Sequence, residues 1–478
     1  MLFTSLALTF VQSPPEPPRP VLLEPGTESY TVEGTGPKPR PNIIYIMADD
    51  LGWGDLSVQG QQRFETPRID QMAAEGLRFT SHYSGSTVCA PTRAVLMTGL
   101  HTGHSAVRGN REYKPLGQFP LPAASLTVAE ILKGGGYETA VVGKWGLGPP
   151  GTEGAPLVQG FDHSFGYNCQ RNAHFFYREF LFRDDEKFEV DPEQWTHELL
   201  TQDALAWLDE RSVDTPFFLY LPYTIPHASI EAPQELIDPF IGRWGEEKPH
   251  KGGHYSAQPT PHAAFAAMVT QLDADVGKVL DLLREKGLAE NTLVIFTSDN
   301  GPHQEGGADP KFFDSNGPFR GMKRDLYEGG IRVPHIAWWP GTVQPGVSDH
   351  PSAMWDFLPT ACEIAVLPMP TGLDGISYAP TLLGTGNQRT HHSLYWEFHE
   401  RGASQAVRMG KWKGVRTQLR KNPDAKLELY DLDADPGETM EIAADHPEVV
   451  ASIETVMRQQ HLADPNWKFP MDLNPDKE

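Results

Sequence analysis

Two carboxylates, Asp49 and Asp50, stand side by side at the end of the apolar run Asn42 to Ala48. Adjacent carboxylates repel each other unless solvent or a cation compensates them. A second apolar run, NTLVIFTS from Asn291, ends at Asp299 and Asn300, just before the breaker Gly301-Pro302. Three carboxylates with one amide oxygen form a hard, all-oxygen donor set, which suits Ca²⁺ or Mg²⁺ rather than Zn²⁺. Ca²⁺ is the expected ion and Mg²⁺ the lesser alternative. Elsewhere, Cys89 sits where a loop enters a helix, with Pro91 in the first turn, where a missing N–H costs nothing. Arg93 follows one helical turn later, on the same face as the thiol. A group at a helix N-terminus beside a guanidinium lies in positive potential, which lowers a thiol pKa and favours a bound tetrahedral anion. The chemistry implied is an anion site with its own nucleophile.

These groups need a frame that brings them together. The runs NIIYIMA and NTLVIFTS are joined by TPFFLYLPYTIP, which leads into His227, and YETAVVG, which leads into Lys144. Nearly continuous apolar runs of this length read as strands covered on both faces. In open α/β sheets ligands bind outside the carboxyl ends of the strands, so four runs that all end in polar groups point to one shared site. Helical stretches alternate with the strands, which is the pattern of a sheet flanked by helices. Past about Pro351 the texture changes to short strand-like segments (SLYWEF, QAVRMG, KWKGVRT, KLELYDL) and the helical run PEVVASIETVMRQQH. The expected division is a signal-like segment and leader over 1–40, a catalytic α/β domain over 41–365 and a smaller C-terminal α+β unit over 366–478.

Composition narrows the function further. The 478 residues carry a formal net charge of −23, which argues against nucleic acid as a partner, since phosphate-backbone binding needs clustered Lys and Arg. With 39% hydrophobic residues the chain can bury a large core. Three cysteines, Cys89, Cys169 and Cys362, exclude a disulfide scaffold, although Cys169 and Cys362 are candidates to pair. The opening MLFTSLALTFVQS, followed by PPEPPRP, resembles the apolar region of an export signal, so an exported protein (periplasmic or secreted) is expected. No stretch approaches the roughly 20 apolar residues of a membrane span.

The segment Cys89-Ala90-Pro91-Thr92-Arg93 is similar to the C-x-P-x-R signature of the type I, formylglycine-dependent sulfatases. Further blocks look like that family in its order: PNIIYIMADDLGWGD, TPRIDQMAAEGLRFTSHYS, TGLHTGHSAVRGN, GYETAVVGKWGLG, TSDNGPHQEGG, NGPFRGMKRDLYEGGIRVPHIAWWPG and LYDLDADPGE. The resemblance runs from about Pro41 to Asp464. It implies an alkaline-phosphatase-like α/β fold, a mostly parallel central sheet flanked by helices, with a smaller C-terminal α+β domain. It also implies a cation, usually Ca²⁺, held by Asp49, Asp50, Asp299 and Asn300, with residue 89 also among its ligands. A formylglycine-generating maturation system would convert Cys89 to an aldehyde, whose hydrate attacks sulfur. By the same resemblance Arg93 and Lys144 fix the hydrate and sulfate oxygens, Lys323 binds the sulfate, and His227 protonates or hydrogen-bonds the leaving oxygen.

One block departs from the family. Its usual G-K-W-H-L-G is here Gly143-Lys144-Trp145-Gly146-Leu147-Gly148, so the histidine expected to assist sulfate release is missing. A substitute base is expected among His104, His163 and His174, with His174 the choice. Arg108, Asn110 and Arg111, together with Trp396 to Arg401, are expected to line an outer pocket for a sugar ring, with Arg108 among the substrate-binding residues. The substrate implied is a small-molecule or carbohydrate sulfate ester, in an arylsulfatase-type reaction. Two alternatives stay open: a phosphodiesterase or phosphonate hydrolase on the same fold, and a catalytically silent binder of sulfated glycans.

Overall fold

The structure is a computed structural model and describes residues 40–473. The expected export segment lies outside the described residues. Ten strands form one sheet, in the order Gly346–Ser348, Leu77–Phe79, His335–Trp338, Thr292–Ser298, Asn42–Ala48, Phe217–Pro222, Glu138–Lys144, His163–Tyr167, Phe180–Arg183 and Glu186–Glu189. From Thr292–Ser298 to His163–Tyr167 the neighbours run parallel, and antiparallel pairs flank this centre on both sides. The four apolar runs picked out above are therefore all strands of the parallel centre.

Burial on both faces explains why these strands are apolar throughout. On one face Ile43, Tyr45 and Met47 pack in a core with Ala94, Val95 and Leu96 of the helix Cys89–Thr98. On the other, Ile44, Ile46 and Ala48 pack with Leu272, Val276 and Val279 of the long helix Pro261–Glu285. A strand with one solvated face would alternate polar and apolar residues, and this one has no such face.

The C-terminal region forms an antiparallel sheet of Leu394–Phe398, Ser404–Met409, Trp412–Arg416 and Glu428–Asp431, followed by the helix Pro447–Gln459. Its faces divide by residue parity. Tyr395, Val407 and Leu429 pack on Ile453 and Met457 of that helix, whereas Trp396, Phe398 and Ala406 join the core of the main sheet. The Trp396 Nε1–H donates to Ser84 O at 2.9 Å, close to the loop that carries Cys89. Glu328, fully buried, accepts hydrogen bonds from Lys413 Nζ (2.8 Å) and Tyr83 OH (2.6 Å), tying this sheet to the segment that carries Lys323. Breaking such a buried pair leaves an uncompensated charge, at a cost of about 3–5 kcal/mol. The C-terminal sheet thus supports the site from behind.

Candidate active site

The site starts from strand register. Ala48 lies opposite Ser298 in a parallel pair, so the dipeptides Asp49-Asp50 and Asp299-Asn300 leave the sheet together. The Asp299 N–H donates to Ala48 O at 3.0 Å, and the Asp50 N–H donates to Asp299 Oδ1 at 3.0 Å. With Leu51 N–H held by Ser298 Oγ at 3.0 Å, Asp50 is locked at φ +66°, a left-handed conformation that usually costs a non-glycine residue about 1–2 kcal/mol. Asn300 Nδ2 donates to Asp50 Oδ1 at 2.7 Å.

The helix Cys89–Thr98 presents its first turn to these groups and ends at Gly99, whose φ of +69° closes the last turn through a 3.0 Å bond to Val95 O. Cys89 Sγ lies 3.4 Å from Asp49 Oδ1, as a donor. One turn along, Arg93 spans both strand ends, with its guanidinium 3.4 Å from Asp49 Oδ2 and 3.1 Å from Asp299 Oδ2. Lys144, at the end of its own strand, reaches Asp49 Oδ2 at 2.5 Å. Lys323 Nζ lies 2.7 Å from Asp50 Oδ2 and 2.9 Å from His227 Nε2. All of these side chains are buried, as ion pairs must be if charges are to leave water.

Electrostatics separates the two flanking acids. Burial works against charge on Asp49, but Lys144, His227 and Arg93 together hold its carboxyl well below the usual range. Burial and the neighbouring Asp49 push Asp299 up to about 7. Cys89 corrects an expectation: its thiol is pushed up, not down, because burial and Asp49 outweigh Lys144. His227 donates from Nδ1 to Ala228 O, which fixes the tautomer and leaves Nε2 as the acceptor for Lys323. Burial and Lys323 drive its pKa well down. His227 thus presents Nε2 as an acceptor to the Lys323 ammonium, and both groups line the cavity described below.

The donor set fits a hard divalent cation. Asn300 Oδ1 is buried and has no hydrogen-bond partner among the described residues. Ligand atoms of Asp49, Asp50, Cys89 and His227 all lie within 4.8 Å of one another. An orphaned amide oxygen among three carboxylates matches oxygen ligation of Ca²⁺ or Mg²⁺.

A cavity of about 270 Å³ opens above Cys89, walled by His174, His227, His254, Gln170 and Lys323 among others. Of the three histidines weighed as the substitute base, only His174 borders it, its ring stacked on His227 with centroids 4.8 Å apart. Burial and Lys144 push its pKa down to about 3. His163 is instead paired with Asp203 at 2.7 Å, and His104 with Asp374 at 2.9 Å. Sequence reasoning missed Glu305, which pairs with Arg324 (2.7 Å) and lies 3.5 Å from Lys323, although it follows Asn300 closely enough to have been suspected. It also missed Gln170, which carries no motif.

The outer pocket differs from expectation. Arg108 is buried at 1% exposure, with its guanidinium on Glu397 Oε1 (3.0 Å), Leu462 O (2.7 Å) and Ser105 O (2.9 Å), so it faces the C-terminal region and not the cavity. Trp396 is buried against Tyr83 and Trp355 and offers no stacking surface. Arg111 lies over Phe119 and Trp467. Asn110 and Glu400 do reach the cavity: Asn110 Oδ1 accepts the Ala90 N–H at 3.1 Å, and its own N–H donates to Glu400 Oε1 at 3.0 Å. Cys169 and Cys362 are separate, buried free thiols. Arg108→Ala is therefore expected to lower stability by about 1–3 kcal/mol, by leaving Ser105 O and Leu462 O without this donor while Glu397 keeps Tyr395, His399 and His461, with KM for a sulfate ester unchanged. Urea unfolding and steady-state kinetics check both halves, and a raised KM at unchanged stability would contradict this placement.

Comparison with known proteins agrees with this geometry. Residues 41–366 match the sulfatase family, and residues 319–463 match the C-terminal region of N-sulphoglucosamine sulphohydrolase. The chain is 32% identical to N-acetylgalactosamine-6-sulfatase of Homo sapiens, covering 89% of this chain and 86% of that protein. It is 33% identical to arylsulfatase A of Homo sapiens, covering 87% and 86%. The crystal structure of Ps i-CgsB superposes with a TM-score of 0.77 at 25% identity, covering 92% of this chain and 98% of that one. By this breadth of match and its alkaline-phosphatase-like fold, the chain belongs to the sulfatase family and is a sulfuric ester hydrolase.

Proposed function

We propose that the protein hydrolyses the sulfate ester of a sulfated carbohydrate, using residue 89 as formylglycine beside a bound Ca²⁺. The observation that carries this reading is the convergence of Cys89, Arg93 and the two acidic strand ends beneath one cavity. A relative named for an N-acetylgalactosamine sulfate supports a sugar ester as substrate. Asp49, Asp50, Asp299 and Asn300 would hold the cation, which supplies Lewis-acid polarisation of the sulfuryl oxygens. As an aldehyde hydrate, residue 89 offers one hydroxyl to attack sulfur and a second whose deprotonation expels sulfate and restores the aldehyde.

The remaining work falls to this chain's own side chains. Lys144 and Arg93 surround residue 89 with positive charge, where oxygens gain negative charge as the S–O bond breaks. Lys323 binds the sulfate and, through its bond to His227 Nε2, holds a proton next to the leaving oxygen. His227 keeps that ammonium aimed, since its Nδ1 is tied to Ala228 O. His174 packs on His227 as the candidate base for sulfate release.

The test uses protein produced together with a formylglycine-generating enzyme and supplied with Ca²⁺. The peptide containing residue 89 should show the aldehyde mass, and sulfate should be released from monosulfated sugars about 100-fold faster than phosphate or phosphonate from matched esters. Faster phosphonate cleavage would favour the hydrolase alternative. Release of alcohol without sulfate would favour the silent glycan binder.

A further inference from the structure

Gln170 is 6% exposed, yet both its amide atoms, Nε2 and Oε1, lack a hydrogen-bond partner among the described residues. It lines the cavity together with Cys89, His174, His227 and Lys323. Leaving a buried amide unpaired costs about 1–3 kcal/mol per polar group, so such a group is normally satisfied by something that binds. Its position depends on a glycine. Gly146 has φ +71°, and a Cβ built there would lie 2.8 Å from Gln170 Nε2 and 3.1 Å from Oε1. Any side chain at position 146 would therefore displace this amide, and the backbone conformation there also disfavours one.

We propose that Gln170 is a substrate-contacting, specificity-determining residue, with Nε2 donating to a sulfuryl oxygen and Oε1 accepting from a hydroxyl or N–H on the atom next to the ester. This inference rests on the sulfatase reading. A sulfuryl group offers only acceptors, so it satisfies Nε2 alone, and Oε1 needs a donor on the rest of the substrate. The class selected is a sulfate ester with a neighbouring hydrogen-bond donor, such as a sugar sulfate flanked by a hydroxyl or an amide. Rejection of analogues that lack the donor follows, because the carbonyl oxygen would stay buried and unpaired.

Wild-type and Gln170→Met proteins, both matured and supplied with Ca²⁺, are compared on two esters. 4-Nitrocatechol sulfate has a hydroxyl beside its ester, and 4-nitrophenyl sulfate has none. Assays run in acid, where the catechol keeps its proton. Methionine preserves length and bulk while removing both polar atoms. Wild type should favour the catechol ester about tenfold in kcat/KM. Gln170→Met should lose about tenfold or more on that ester, less on the other, so that the preference falls to within about twofold while the unfolding midpoint holds or rises. Absence of the preference in wild type, or its survival in Gln170→Met, overturns the proposal. Calorimetric binding of the same two esters to Cys89→Ala protein with Ca²⁺ reads the preference without turnover. An enzyme that releases no sulfate would thus sink the hydrolase reading, while binding would still decide the role of Gln170.

Discussion

Cys89→Ala should abolish sulfate release, by about 10⁴-fold or more, with the fold retained. The thiol occupies the first turn of a fully buried helix and, among the described residues, donates only to Asp49 Oδ1, at 3.4 Å. Removing one sulfur atom there costs little packing, and the ion pairs from Arg93 and Lys144 to Asp49 survive. What is lost is the thiol that, among the described residues lining the cavity, an aldehyde can be made from. Cys89→Ser supplies the informative contrast. A serine hydroxyl can attack sulfur once, but has no second hydroxyl with which to expel sulfate, so it should give at most one turnover, with the sulfate retained on the protein. Steady-state release and intact-protein mass check the pair. Residual turnover of a few per cent in Cys89→Ala would show that residue 89 is not the nucleophile.

Lys323→Ala should lower kcat/KM by about 10²–10³-fold, with both KM and kcat affected. Its ammonium contacts Asp50 and His227 and lies near Glu305, so in the proposed reaction one side chain would serve the sulfate, the imidazole and the acidic cluster together. Lys323→Arg should recover little, since a planar fork does not replace a compact ammonium wedged between Asp50 and the ring. The pH profile separates the two roles. If Lys323 only binds sulfate, the variant keeps the wild-type profile at a higher KM; if it also supplies the proton, the alkaline limb changes, and esters with poorer leaving groups lose more rate. Full activity in Lys323→Ala would remove this residue from the reaction.

Much of this centre could be read from local pattern. Asp49, Asp50, Asp299 and Asn300 follow apolar runs whose length and lack of alternation mark buried parallel strands, and Lys144 follows a third. Parallel register then brings Ala48 opposite Ser298. Arg93 beside Cys89 follows from helical spacing alone. The thiol pKa lies beyond local pattern for a physical reason: the helix N-terminus and Arg93 are local, but the burial and the Asp49 carboxylate that oppose them come from elsewhere in the chain.

Arg108 shows where local reading stops. As a loop arginine close to a motif it looked available to substrate, but Glu397, on a C-terminal strand, takes its guanidinium out of solvent. Trp396 faces inward because strand parity and the packing of the C-terminal sheet on the main core decide its side. Nothing local sets His174 apart from His104 and His163, since Asp374 and Asp203, which pair with those two, lie far away in sequence.

By itself, then, the sequence settled the chemistry on offer: which side chains end the strands, which thiol heads a helix, and which family pattern they follow. These properties reside in short segments, where periodicity and backbone geometry act over a few residues. Tertiary structure decided what each polar group faces. Gln170 meets the space over Gly146, Lys323 meets His227, and Arg108 meets Glu397. Such pairings depend on close packing between distant segments, where a shift of about an ångström changes a partner, and no local pattern encodes that.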